Sequence, residues 1–286
     1  MELHITGKAD APAILLIPDR DMDASALAAA LGALEKDYQL LIPSFAADEP
    51  DGEISAALES ALGQQFAGRI WGAYGLRRGA GLLLALLARG SVRVRTAVLE
   101  GAFALPESPL PRESRYICWK NARDRAAKKS WQALKKQLPG VYSLTMKKMK
   151  KGEDLLSLRP DVMAKRLQSA FGAAAVVSRS AVLPQRTDKV WRQLCLHPDK
   201  EELARLTEKE PLRRDADNRT QLLEGSGGGL KLWSHWVRLE SLGQDGTICT
   251  DQVELDAGRF NALAKPAARL YLGYIQRRRA RALRKG

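Results

Sequence analysis

Cysteines, histidines and long apolar runs are scarce in this 286-residue chain, and each scarcity removes a class of function. There are three cysteines, Cys118, Cys195 and Cys249, far apart and with no CxxC pair among them. That pattern argues against a disulfide framework or a thiolate metal site and reads as buried thiols in a reducing compartment. There are also three histidines, His4, His197 and His235, and they are isolated. Without Cys partners or ligand spacing they do not make a metal site. The longest apolar run, Ala80 to Ala88, falls well short of the roughly 20 residues needed to cross a bilayer. The opening MELHITGKAD lacks a basic-then-apolar signal organisation. Taken together these absences predict a cytoplasmic protein with no cofactor.

Acidic residues are scarce in one place. The net charge is +13, and between Trp119 and Lys151 eleven lysines and arginines face one acid, Asp124. Lys147, Lys148, Lys150 and Lys151 form the densest patch, and a second cluster, Arg277 to Lys285, closes the chain. Such clusters attract polyanions, whether nucleic acid or anionic lipid, but the same pattern also describes solvated helix faces. With 45% hydrophobic and 28% charged residues, the remainder is ordinary globular material of a length that suits two domains.

Strand and helix signals alternate over the first hundred residues. Ala13 to Ile17 (AILLI), Tyr38 to Ile42, Arg69 to Ala73 and Val92 to Leu99 read as strands. Helices between them, with Asp23 placed to cap the first, predict βαβ units and a mainly parallel sheet. After Pro106, Pro109 and Pro111 the pattern predicts a basic helical stretch from about Glu113 to Leu138, with no further strand before Gly172. Beyond Gly172 the period becomes β, with strands near 173–183, 230–239 and 247–255. A final helix over 258–283 carries Phe260, Leu263, Ala267, Leu270, Tyr271 and Tyr274 on one face. The expected divisions are 1–104, a basic helical cap or linker over 105–172, and 173–286.

The run from Ala13 to Phe103, with AILLI, LLIP, a glycine-rich strand-to-helix elbow and TAVLEGAF, resembles the front half of an α/β-hydrolase core. The resemblance places the elbow on Gly75-Leu76-Arg77-Arg78-Gly79 and implies a Ser, Cys or Asp where Arg77 stands. A guanidinium stays protonated and cannot attack a carbonyl. The alternative register puts Tyr74 there, and Pro18-Asp19 stands where the oxyanion loop has His-Gly. The implication is a hydrolase-like fold without hydrolysis. Arg77 could then bind an anion at the helix start or simply point to solvent.

The stretches VVSRSAVL, WSHWVRLE and CTDQVELDAG, with a helix ending in YIQRRRAR, resemble a START-like helix-grip domain of the polyketide-cyclase type. That resemblance implies an α+β fold closing a helix over a curved sheet around an apolar small molecule. Period-two alternation puts Trp233, His235, Val237 and Leu239 on one strand face and Cys249, Asp251, Val253 and Leu255 on another. The ligand-lining expectation therefore names Trp233, His235, Cys249, Asp251 and Val253, with His235 and Asp251 as polar handles. A structural hydrogen bond at His235, with Asp251 at the rim, is the competing expectation. The functional expectation is a non-catalytic binder of an apolar ligand. An esterase with relocated catalytic residues and a basic protein docking on nucleic acid or anionic membrane are the alternatives.

Overall fold

The computed structural model describes every residue except 10, 47, 67, 113, 139–140, 147–148, 151–152, 173–174, 197–207, 210–211, 218, 228–229 and 286. Two compact units divide it, Met1–Gly172 and Ala173–Gly286. Among the described residues no helix is long and apolar enough to cross a membrane.

The first unit is a seven-stranded sheet: β1 (Glu2–Gly7), β2 (Ala13–Ile17), β3 (Gln39–Ser44), β4 (Arg69–Leu76), β5 (Arg93–Glu100), β6 (Arg115–Asn121) and β7 (Tyr142–Met146). Their order in space is β1-β3-β2-β4-β5-β6-β7, with β1 antiparallel at one edge and every other pairing parallel. Strands covered on both faces need apolar residues throughout, and β2 and β4 are buried along their whole length. The helices are α1 (Ala24–Leu31), α2 (Asp51–Phe66), α3 (Arg78–Ala88), α4 (Arg125–Gln137), α5 (Leu155–Leu158) and α6 (Pro160–Phe171). Asp23 caps α1 as expected, its carboxylate accepting the Ser25 N–H at 3.2 Å.

The segment 105–172 is where the structure departs from the sequence reading. In place of a basic helical cap, β6 and β7 extend the parallel sheet and α4 is the crossover between them. The strand RYICWKN was masked by its basic flanks and by the prolines before it. Tyr116, Ile117, Cys118 and Trp119 are nonetheless buried, since central pairing with β5 takes the whole backbone out of water. The basic residues of α4 lie outward, around a buried Ala127 and Leu134. The end of α6 is locked to the sheet by two hydrogen bonds, from Trp71 Nε1 to the Phe171 carbonyl at 3.1 Å and from the Tyr38 hydroxyl to the Gly172 carbonyl at 2.7 Å. The Phe171 ring lies where a side chain at Gly72 would stand.

The second unit holds an antiparallel sheet. It contains β8 (Ala175–Leu183), β9 (Glu208–Lys209), β10 (Arg213–Asp215), β11 (Thr220–Gly227), β12 (Leu230–Leu242) and β13 (Gly246–Asp256), in the order β10-β11-β12-β13-β8 with β9 beside β11. Among the described residues it also has the helices α7 (Thr187–Leu196) and α8 (Asn261–Lys285). Of the expected stripe on α8, Tyr271 packs inward against Trp233, and the other large residues are a correction. Phe260, Leu263, Leu270 and Tyr274 are 53, 71, 75 and 47% exposed, while Ala268, Leu272, Ile275 and Leu283 are buried. The helix is apolar on two opposite sides, and it packs the side whose small residues admit close approach.

Two predictions follow from β6 and β7 belonging to the first sheet. A fragment of residues 1–172 should unfold cooperatively on heating, followed by circular dichroism. A fragment of residues 1–104 should not, because it ends on β5 with an unpaired central edge; cooperative melting of the shorter fragment would contradict this topology.

Candidate functional site

The turn from β4 into α3 is built around two glycines. A Cβ on Gly75 would strike the backbone of Gly79 and Ala80, and one on Gly79 would strike the carbonyls of Ile17 and Pro18. Both positions therefore require the bare backbone. Between them Arg77 has φ 48° and ψ −105°, a conformation that costs a non-glycine residue on the order of 1–3 kcal/mol. The Arg77 N–H donates to the Glu100 carbonyl at 2.8 Å, holding the turn to the end of β5. This is the sharp strand-to-helix geometry that presents a side chain at the top of a parallel sheet.

The presented side chain is tied down. Arg77 Nη1 lies 3.1 Å from Asp19 Oδ2 and Nη2 lies 3.1 Å from Asp154 Oδ2. Asp19 also accepts the Arg78 N–H on its other oxygen at 3.3 Å. In a hydrolase elbow, the N–H following the nucleophile serves as an oxyanion donor. Here an internal carboxylate sits on it. Partial burial works against the charge of Arg77, but the Asp19 hydrogen bond and the charges of Asp154 and Asp19 outweigh it and raise its pKa. Arg78 is held in turn by Asp51, with Nε to Oδ1 at 2.8 Å, and by the Glu49 carbonyl at 2.6 Å.

Behind the clamp lies Glu100, 2% exposed. Its carboxylate accepts the Leu155 N–H at 2.7 Å and the Tyr74 hydroxyl at 2.9 Å. Burial pushes Glu100 up to about 7; the Leu155 and Tyr74 hydrogen bonds oppose this and the Asp154 charge adds to it. Burial, then the Glu100 charge, also lifts the Tyr74 hydroxyl well above its ordinary range. The loops after β6 and β7, where the hydrolase resemblance looks for an acid and a histidine, supply Asp124 and Asp154. Asp124 caps α4, accepting from Ala126 and Ala127 at 2.9 and 3.0 Å. Asp154 pairs with Arg77 and accepts the Ser157 N–H at 2.8 Å. Residues 1–172 contain one histidine, His4, on the edge strand β1.

In the second unit, register pairs Trp233 with Leu255, His235 with Val253, Val237 with Asp251 and Leu239 with Cys249, so all eight share one face. That face lies under α8 and is buried throughout, Asp251 and Val253 to 0% exposure. His235 Nε2 lies 3.0 Å from Asp251 Oδ1, Arg279 Nη1 lies 2.9 Å from both carboxylate oxygens, and Gln276 Nε2 donates to Oδ2 at 3.0 Å. Cys249 Sγ also contacts Arg279 Nη1 at 3.1 Å. Burial alone would raise Asp251. The Arg279 guanidinium, with His235 and Gln276, reverses that and holds its carboxyl far below the usual range. Asp251 is thus at the centre of the interior, away from any rim.

On either side of this polar belt the interior is apolar. Val177, Leu223, Trp233, Val253, Leu255, Ala268 and Leu272 pack at one end, and Leu183, Val190, Leu194, Val237, Leu239, Cys249 and Leu283 at the other. Trp233 stacks edge-on to Tyr271, centroids 5.5 Å apart, and Leu212, Leu230 and Tyr271 at that end are only partly buried.

Sequence reasoning missed Glu100, Asp154, Gln276 and Arg279. The acid ending the apolar run TAVLE was the available signal for Glu100. Arg279 was hidden among outward arginines. Of the basic patch, Lys147, Lys148 and Lys151 lie outside the described residues, and Lys150 is exposed. Trp119 is buried, and Trp131 is covered by Lys120, whose Nζ is 3.4 Å from the ring centroid.

No family model matches the chain, and no curated protein matches it. Solved structures do match the first unit. A putative α/β hydrolase family protein from Desulfitobacterium hafniense aligns at a TM-score of 0.52 and 14% identity, over 60% of this chain and all of that one. A marine microorganism esterase aligns at 0.51 and 8% identity, over 59% of this chain and 98% of its own. The first unit therefore has the α/β-hydrolase fold, and at these identities the likeness speaks of fold alone. A START superfamily protein from Mycobacterium smegmatis aligns over 38% of this chain at a TM-score of 0.29 and 10% identity, which assigns no fold to the second unit.

Two variants test these clusters. A group whose folded pKa is raised stabilises most below its unfolded pKa and loses that contribution as pH rises. Wild-type protein should therefore lose stability between about pH 4.5 and 7 through Glu100. Glu100→Gln should remove this loss, its melting advantage growing from pH 5 to pH 8 by at most about 3 kcal/mol; an unchanged difference across that range would contradict the assignment. Asp251→Asn should cost about 3–5 kcal/mol in urea unfolding at neutral pH, because it breaks the buried ion pair with Arg279 by removing one partner's charge.

Proposed function

We propose that this protein binds a small apolar molecule and does not hydrolyse esters, on a hydrolase-like first unit whose reactive centre has become a structural ionic joint. The observation that carries the first half is Asp19, which holds the Arg77 guanidinium with one oxygen and the Arg78 N–H with the other. In that arrangement the nucleophile position holds a cation unable to donate an electron pair. The neighbouring oxyanion donor is already satisfied by a carboxylate. A substrate carbonyl would have to displace Asp19 to reach it. The same pairing speaks against Arg77 as an anion site, since two carboxylates already occupy its fork.

The binding half rests on the second unit, whose START-like reading we retain as a proposal. The Trp233 end is its entrance, where an edge-on aromatic pair and partly buried leucines offer apolar surface near solvent. Trp233 and Val253 are the contacts a ligand would meet. His235, Asp251 and Cys249 form the polar floor that keeps the sheet and α8 in register. Polar groups already paired with one another beneath an apolar end suit a ligand that is largely hydrocarbon.

Two measurements check the proposal. Purified protein should remain unlabelled by a fluorophosphonate probe and turn over p-nitrophenyl butyrate at the background rate; stoichiometric labelling of a serine would establish an esterase with relocated residues instead. Titration with a neutral apolar fluorophore such as N-phenyl-1-naphthylamine should saturate at one site. Trp233→Ala should weaken that uptake about tenfold, roughly the loss of one aromatic contact. Leu270→Gln, on the outer face of α8, should leave it unchanged. Uptake that does not saturate, or that ignores Trp233, removes the ligand from this reading.

A further inference from the structure

The outward face of α8 has no role in the second unit's interior. Leu263, Leu270 and Tyr274 are 71, 75 and 47% exposed, and Phe260 just before the helix is 53% exposed. Helical spacing places the three helix residues in one line, on the side opposite Ala268, Leu272 and Ile275, which pack on the sheet. The line runs eleven residues, about 16 Å at the helical rise. The same line then continues into charge, for Arg277, Arg278 and Arg281 are exposed over the next two turns. The 25 residues of α8 contain eight lysines and arginines and no acid.

Large apolar side chains scattered singly on a surface need no explanation, but a contiguous line of them on one helix marks an interaction face. Its charge decides among the occupants. A second copy of the same helix would set eight cationic side chains against eight more, with no acid on either helix to form an ion pair across the contact. A planar anionic surface suits both halves of the line. Leucines can enter the acyl boundary while arginines reach the headgroup phosphates, and Tyr274 sits at the junction of the two with an apolar ring and a polar tip. The inner face stays on its sheet throughout, so docking demands no unfolding.

We propose that the outer face of α8, Leu263, Leu270 and Tyr274 followed by Arg277, Arg278 and Arg281, docks the protein on the surface of an anionic lipid bilayer. The contact is peripheral, with the helix lying along the interface. Attraction to the headgroups is screened by salt, whereas insertion of the leucines is not.

Co-sedimentation of the full chain with unilamellar vesicles tests this. Vesicles of phosphatidylcholine mixed with phosphatidylglycerol should bind the protein, and pure phosphatidylcholine should bind it far more weakly. Leu270→Gln with Tyr274→Gln changes no charge and touches no interior residue. It should lower the affinity for the mixed vesicles at least about tenfold, with the melting temperature unchanged. Equal binding by the double variant would overturn the proposal, reducing the attraction to the general cationic charge of the chain. Absence of wild-type binding at low salt would overturn it outright. So would a dimer in light scattering that the double variant turns into a monomer, since the face would then belong to a second copy.

Discussion

The backbone of Arg77 is the constraint from which the first unit's character follows. A turn with φ near 48° between a buried parallel strand and a helix is costly for an arginine, and it persists only where its surroundings over-determine it. Gly75 and Gly79 admit the close approach, and Glu100 holds the Arg77 N–H from the next strand. The turn aims one side chain at the top of the sheet. With a serine there the geometry would make a nucleophile; with an arginine it makes a cation that must be neutralised. Asp19 from the loop after β2 and Asp154 from the loop after β7 do so, joining three loops across the sheet. The strained turn thus positions the Arg77 ion pairs.

The second unit repeats the logic with its sign reversed. Asp251 is an anion with no exposure, and its charge is affordable only because Arg279, Gln276 and His235 converge on it. Two of those three partners lie on α8, so the carboxylate specifies which side of that helix meets the sheet. Ala268 and Leu272 then pack in, and the larger Leu263, Leu270 and Tyr274 are turned to solvent. A polar requirement at one buried atom thus overrides the larger apolar stripe.

This contrast also explains what the sequence made legible. Continuous apolar runs such as AILLI and TAVLE announced central strands, because burial leaves a local pattern, whereas the elbow was placed by the hydrolase resemblance. Alternation gave one face of β12 and one face of β13, and it is the pairing register that joins Trp233 to Leu239 with Cys249 to Leu255 on a single face. Hidden were the features set by distant partners. RYICWKN reads as part of a basic helix until β5 lies beside it, and Arg279 cannot be told from its outward neighbours until Asp251 is opposite. The facing of α8 was misread for the same reason, since a helix apolar on two sides carries no local mark of which side is inner.

The Arg77 clamp is a structural joint, and a double-mutant cycle between Arg77→Ala and Asp154→Ala measures it most directly. Residues in one ion-paired network show coupling of about 0.5–3 kcal/mol, whereas independent positions add. The account predicts coupling of at least about 1 kcal/mol in denaturant unfolding, with each single variant destabilising. Single effects that simply add would mean that Arg77 and Asp154 do not hold each other, and the elbow would have to be explained by something other than the joint described here.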